Sequence, residues 1–258
     1  MNFRLNGIVK KTSLTVLVFV AFLFSFNRSM AQSDVIDVKT FENIVVSPHI
    51  AVVFEEGEQE SVRIESITVP IEKLNVVVKN KTLSVFLDDA KITQPTKKEY
   101  INGYKRKVSV YSGTVVKAII TYKTLNSIDL RGEERFNFVS NLNTEKLHLK
   151  IYGESQVFLN EVSIQNLKVT LYGENYLEIR KGKIENQKVT AYGESEVNSL
   201  KIDNSETILT SYGEGVFKFN ISEKLNITSF GEASIDYTGN PDLDKGIIIG
   251  ETEITRVD

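Results

Sequence analysis

The 258-residue chain has no cysteine, no tryptophan, two histidines and four prolines. Without cysteine there can be no disulfide scaffold, thiolate metal site, cysteine nucleophile or lipid-modified N-terminal cysteine. Two histidines leave little from which to build a zinc centre or a Ser-His-Asp triad. His49 follows Pro48 near a strand start and His148 stands alone on an outward position, so both are read as structural or surface residues. The sequence therefore predicts no catalytic residues, no metal ligands and no cofactor.

Long apolar runs are also scarce, with one exception. Arg4, Lys10 and Lys11 precede a thirteen-residue apolar stretch, Leu14 to Phe26, and Ser29-Met30-Ala31 supplies small residues for cleavage. That is the pattern of a secretory signal over residues 1–31, and the run falls short of the ~20 residues that span a bilayer. The expected product is exported to the periplasm or the cell surface, is not a lipoprotein, and keeps no transmembrane anchor after cleavage. Four of the 31 basic residues and none of the 34 acidic ones lie in the leader, so the rest carries a net charge of −7. Nucleic acid is excluded as a partner on that balance, because its binding rests on clustered cations.

What the chain does contain is a repeat. Gly-Glu recurs at Gly132, Gly153, Gly173, Gly193, Gly213, Gly231 and Gly250, in steps of 18 to 21 residues, and takes up seven of the fifteen glycines. An aromatic residue precedes the central five: Tyr152, Tyr172, Tyr192, Tyr212 and Phe230. Around each Gly-Glu the pattern alternates with period two. Leu147, Leu149 and Ile151 fall on one face while His148, Lys150 and Tyr152 fall on the other. Four residues after each glycine comes a second apolar column, Phe136, Val157, Leu177, Val197, Phe217, Ile235 and Ile254. Twenty residues of strand and tight turn, repeated without helices, describe one coil of a parallel β-solenoid, with like positions stacked ~4.8 Å apart. A leucine-rich repeat is the rival reading, but its asparagine position matches only at Asn175 and reads Ser155, Ser195, Gly215 and Ala233 elsewhere.

The domain reading that follows is residues 1–31 as signal, 32–39 as a short N-terminal segment and 40–258 as one solenoid domain. Within the latter, 128–256 holds the regular repeats and 40–127 holds irregular strands, expected to form longer coils that cap the rod. The alternation lapses over 88–107, a polar insert predicted to be a surface loop or projecting hairpin. It carries Lys91, Lys97, Lys98, Lys105, Arg106 and Lys107 together with Tyr100 and Tyr104.

Several of these segments resemble a known family. Phe41-Glu42-Asn43-Ile44-Val45-Val46, the strand Ile50 to Phe54 leading to Gly57-Glu58, the turn at Lys79-Asn80-Lys81, and Leu125 to Leu130 running into Gly132 are similar, in that order, to the head GIN domain. This family is also catalogued as an auto-transporter adhesin of Gram-negative bacteria. The resemblance covers residue 40 to about the end. It implies an exported, right-handed parallel β-helix, no characterised enzymatic activity and no catalytic residues. The solenoid pattern continues to Ile254, leaving no segment that reads as an outer-membrane barrel, so the expectation is a chain that is not a self-sufficient autotransporter.

Three features are candidate sites. Glu133, Glu154, Glu174, Glu194, Glu214, Glu232 and Glu251 form a carboxylate ladder, read either as a cation site or, preferably, as side chains bonded to backbone N–H groups at the corner. Tyr152, Tyr172, Tyr192, Tyr212 and Phe230 share outward parity with Thr170, Thr190, Thr210 and Thr228, a surface that could stack on and hydrogen-bond a glycan, or simply a self-stacked column. The basic insert with Tyr100 and Tyr104 is a candidate for gripping anionic polymers. The function expected is a non-enzymatic binding or adhesion module facing a glycan or protein partner. A polysaccharide-active β-helix enzyme and an envelope structural or sensor domain are the alternatives.

Overall fold

The structure, a computed structural model, describes residues 34–93, 96–101 and 104–258. The leader expected over residues 1–31 lies outside them. Apart from a 3-10 turn at Ile71–Lys73, every regular element among the described residues is a strand. The first ten are β1 (Asp34–Asp37), β2 (Asn43–Val46), β3 (Ile50–Glu56), β4 (Ser61–Ile67), β5 (Leu74–Lys79), β6 (Thr82–Leu87), β7 (Thr96–Ile101), β8 (Tyr104–Ser109), β9 (Val116–Tyr122) and β10 (Ser127–Gly132). Seven follow: β11 (Arg135–Gly153), β12 (Gln156–Gly173), β13 (Asn175–Ile179), β14 (Gly182–Tyr192), β15 (Ser195–Gly239), β16 (Asp242–Ile249) and β17 (Thr252–Arg256).

From β10 onward the chain winds as a β-solenoid of about six turns and ~20 residues per coil. Each Gly-Glu marks the corner between two faces. On the face before the corner, Ile128 pairs with Leu149, Leu149 with Val169 and Val169 with Val189, all in parallel register. On the face after it, Phe136 pairs with Val157, Val157 with Leu177 and Leu177 with Val197. These inward residues are fully buried. The period-two pattern thus becomes a single apolar core running the length of the rod, each buried Leu, Val or Phe contributing roughly 1.5–3 kcal/mol.

Residues 41–122 do not wind as a simple series of longer coils. β2 and β3 lie below β10 and β11 as one more parallel coil. Beyond them, β6 pairs parallel with β2 and β9 with β3, and antiparallel strands then follow on both: β5 on β6, and β4 on β9 with β1 outside β4. The local cause is legible at Asn80 and Lys81, which both adopt positive φ (50° and 58°) and reverse the chain in two residues. So tight a reversal yields an antiparallel hairpin, whereas a parallel return needs a whole coil.

The insert becomes the separate hairpin β7–β8, paired from Thr96↔Ser109 to Ile101↔Tyr104.

Candidate functional site

The corner glycines fix the geometry of everything around them. Gly153 and Gly173 stack in register with φ of 98° and 104°, and a Cβ on Gly173 would lie 2.3 Å from the Gly153 carbonyl oxygen. Only glycine tolerates both the dihedral and the approach. Inside the corner, a polar column satisfies the bend: the Ser155 N–H donates to Asn175 Oδ1 (3.1 Å), Asn175 Nδ2 donates to the Tyr172 carbonyl (3.0 Å), and Ser155 and Ser195 hydroxyls donate to the Gly132 and Gly173 carbonyls. These are the small residues that follow each Glu in sequence.

That arrangement corrects the preferred reading of the glutamate ladder. The corner N–H groups of Glu154 and Glu174 donate to the Gly132 and Gly153 carbonyls, both at 2.9 Å, so they are not available to carboxylates. Among the described residues no hydrogen bond or ion pair reaches the side chains of Glu154, Glu174, Glu194, Glu214, Glu232 or Glu251, and all are exposed. Glu133 is likewise exposed, and its backbone N–H is bonded by the buried Glu134 carboxylate at 2.9 Å. Among the described residues no three His, Asp or Glu side chains converge closely enough to hold a metal ion.

Next to this acidic corner runs the aromatic column. Tyr152, Tyr172, Tyr192, Tyr212 and Phe230 stack at centroid separations of 4.9, 4.9, 5.0 and 5.1 Å, parallel to within 6°. The interior tyrosines point outward and are about 39% exposed. Each interior ring has its two faces against its neighbours, so ring-on-sugar stacking, one part of the sequence expectation, is not on offer there. What remains free is the ring edge and the phenol. Among the described residues none of the four phenol hydroxyls has a hydrogen-bond partner in the chain, nor have the hydroxyls of Thr170, Thr190, Thr210 and Thr228 two residues before them.

Sequence reasoning passed over the group that tops this column. Arg131 occupies the position of Tyr152 one coil earlier, lies 5.6 Å from its ring centroid, and is held by a two-pronged pairing with Asp129 at 2.8 and 3.1 Å. The hydrogen bonds to Asp129 raise the arginine's pKa further, so the column ends in a fixed positive charge. Beside it a cleft of about 490 Å³ is bounded by Tyr152, Arg131, Gly132 and, from the base of the insert, Ile92 and Thr93.

Across the Thr column from the tyrosines lies a second feature missed in sequence. His148, Lys168 and Lys188 stack in register on successive coils and, with Lys146, line a groove of about 320 Å³ floored by Leu147 and Leu167. Burial, then the charges of Lys150 and Lys168, hold His148 below its ordinary pKa. The signal was available: Lys168 and Lys188 sit at the same distance before consecutive corner glycines.

The hairpin places Tyr100 and Tyr104 at 75% and 73% exposure. No contact among the described residues joins them to the tyrosine column. His49, read as structural, is buried with Nδ1 2.8 Å from the Gly113 carbonyl and its ring tilted on Tyr111.

A family model described as "Putative auto-transporter adhesin, head GIN domain" matches residues 40–241. Among solved structures, a putative adhesin from Bacteroides fragilis aligns with a TM-score of 0.74 at 19% identity, over 87% of this chain and 96% of its own. A putative lipid binding protein from Parabacteroides distasonis aligns at 0.62 and 16% identity, over 88% and 96%. A putative adhesin from Parabacteroides merdae aligns at 0.52 and 15%, over 88% and 95%. At these identities the likeness concerns the fold. No curated protein matches the chain.

Proposed function

We propose, from the premise that the chain belongs to the family of auto-transporter adhesins with a head GIN domain, that it is an exported binding module whose Tyr/Thr face holds an extended glycan lying along the rod. The observation that carries this is a column of four tyrosines whose rings repeat every 4.9 to 5.0 Å with unpartnered phenols, beside threonines in parallel register of which Thr170 is buried and Thr190, Thr210 and Thr228 are half-buried. A β-1,4-linked pyranose chain in its extended form advances by close to one strand spacing per sugar. Each coil then meets one sugar in the same register. An extended peptide advances ~3.3 Å per residue and loses register within two coils. The phenols and threonines act as hydrogen-bond donors and acceptors toward sugar hydroxyls, and the rigid column holds them in place without further ordering.

The test is affinity electrophoresis and calorimetry with β-1,4-linked and β-1,3-linked polymers, comparing the parent with Tyr172→Phe/Tyr192→Phe, which keeps the stack and removes two hydroxyls. Retardation by the β-1,4 polymers that weakens in the variant is expected. Equal retardation of parent and variant, or preference for the β-1,3 polymers, overturns the reading.

A second reading rests on the hairpin. Lys98 lies directly opposite Lys107 and Tyr100 opposite Lys105, giving one face three ammonium groups and a phenol, while Lys97 on the other face pairs with Glu99 at 2.7 Å. Such a face suits an anionic lipid surface. One similar solved structure is described as a lipid binding protein, which supports it. Co-sedimentation with phosphatidylglycerol but not phosphatidylcholine vesicles, lost in Lys98→Glu/Lys107→Glu, is the expected result. Sedimentation equal with both lipids removes this reading.

A further inference from the structure

The groove beside the Thr column says what kind of glycan the face would take. We infer that the polymer is polyanionic, a β-1,4-linked polyuronate whose carboxylates seat against Lys168, Lys188 and His148 while its hydroxyls run over the Thr and Tyr rows. This rests on the reading that a glycan lies on that face.

The first support is uncompensated charge. Lys168 and Lys188 are neighbours in parallel register, as are His148 and Lys168, and Lys150 takes the Thr position one coil before Thr170. Among the described residues none of Lys150, Lys168 and Lys188 has an acidic partner within ion-pair distance, and Asp129, in register with Lys150, is occupied by Arg131. Lys146 pairs only loosely with the exposed Glu145, at 3.7 Å. Like charges directly opposite in adjacent strands are unfavourable, and an anion bridging them removes the repulsion.

The second support is shape. The groove runs across successive coils, its floor is the aliphatic flank of Leu147 and Leu167, and Asn166 and Asn186 line its rim, joined by a 3.2 Å side-chain hydrogen bond. Glu206 stands at its far end, after the last lysine. A cationic trough with amide edges, parallel to a row of hydroxyls, matches a chain that carries carboxylates along one side and hydroxyls along the other. The third support is His148 itself, which lines the groove and whose Nε2 has no partner in the chain, leaving a ring nitrogen that donates in one tautomer and accepts in the other.

The probe is polymannuronate, compared with the same polymer after carboxyl reduction, titrated into the full chain by calorimetry at low and moderate salt. Polymannuronate is expected to bind about tenfold or more tightly than its reduced form, and to weaken steeply with salt. Lys168→Gln/Lys188→Gln should abolish most of that difference while leaving binding of the reduced polymer unchanged, and unaltered melting would show that it folds. Equal affinity for both polymers overturns the polyanion inference and leaves the Tyr/Thr reading standing. Failure to bind either polymer overturns both. Poly-glutamate bound as tightly as polymannuronate would also sink the inference, since the groove would then be reading charge without sugar.

Discussion

Replacing Gly173 by alanine probes the corner that aligns every column on the Tyr/Thr face. The φ of 104° lies in a region that costs an L-residue about 1–3 kcal/mol, and the new Cβ would stand 2.3 Å from the Gly153 carbonyl oxygen. That oxygen already accepts the Glu174 N–H at 2.9 Å, so moving it aside loosens a hydrogen bond worth about 1 kcal/mol. Together the penalty is about 2–4 kcal/mol, or roughly 5–15 °C in Tm for a chain of this size. Two other glycines separate the contributions. Gly193 has a similar φ of 100° but its Cβ would approach no nearer than 3.0 Å, so Gly193→Ala should show the dihedral cost with little of the contact cost. Gly113 has φ of 59° with nothing within 4 Å, and Gly113→Ala should cost about 1 kcal/mol. Urea unfolding followed by circular dichroism gives the order 173, 193, 113. If Gly173→Ala melts within a degree or two of the parent, or Gly113→Ala is the worst of the three, the corner is not what holds the coils in register.

Tyr192 makes two stacked pairs, so Tyr192→Ala should lose about 1–3 kcal/mol in urea unfolding while Tyr192→Phe stays within about 0.5; equal losses would mean the stack contributes nothing. Asn175→Ala leaves the buried Ser155 N–H and Tyr172 carbonyl unpaired and should cost about 2–4 kcal/mol, with Asn175→Ser costing less because Ser195 fills that position one coil on. Burial pushes the Glu134 carboxyl above its ordinary value, against the pull of the Glu133 and His49 backbone N–H groups. The native state then holds this proton more tightly than the unfolded chain, so the stability it contributes is present below the ordinary carboxyl range and is lost as pH rises through the folded value. Glu134→Gln should flatten that part of the stability profile relative to the parent, and parallel profiles would show that the carboxyl is not perturbed.

The regular coils were readable because a solenoid converts sequence spacing directly into spatial registry. Once Tyr152, Tyr172 and Tyr192 stand twenty residues apart at one parity, their stacking and exposure follow, as does the burial of Phe136, Val157 and Leu177. The cap was not readable in the same way, since Asn80-Lys81 signals a reversal without saying which strand the hairpin will lie upon. The rings' loss of their free faces needed the 4.9 Å separation, not the parity. The glutamates misled for another reason: the same corner carries Ser155 and Asn175 inside it, and these shorter side chains reach the corner backbone from the interior while the carboxylates point to water.

The order of columns across the face gives it a direction. Acid lies at the corner, then phenol, then threonine, then cation, each one repeated coil after coil. Each column stands two positions from the next, so the glutamates stand six residues from the lysines, about 20 Å along an extended strand. At that distance water and salt screen the two ladders from each other, so neither neutralises the other. Neighbouring carboxylates about 5 Å apart repel by roughly 1 kcal/mol per pair in water, a cost carried among the described residues without an ion pair at Glu154, Glu174, Glu194, Glu214, Glu232 or Glu251. A polyanion on this surface is pushed from the corner and drawn toward the groove, with the neutral tyrosines and threonines between as its track. On the proposal of a bound polyanion, the acidic ladder then acts as the wall that fixes which side of the rod such a chain can occupy.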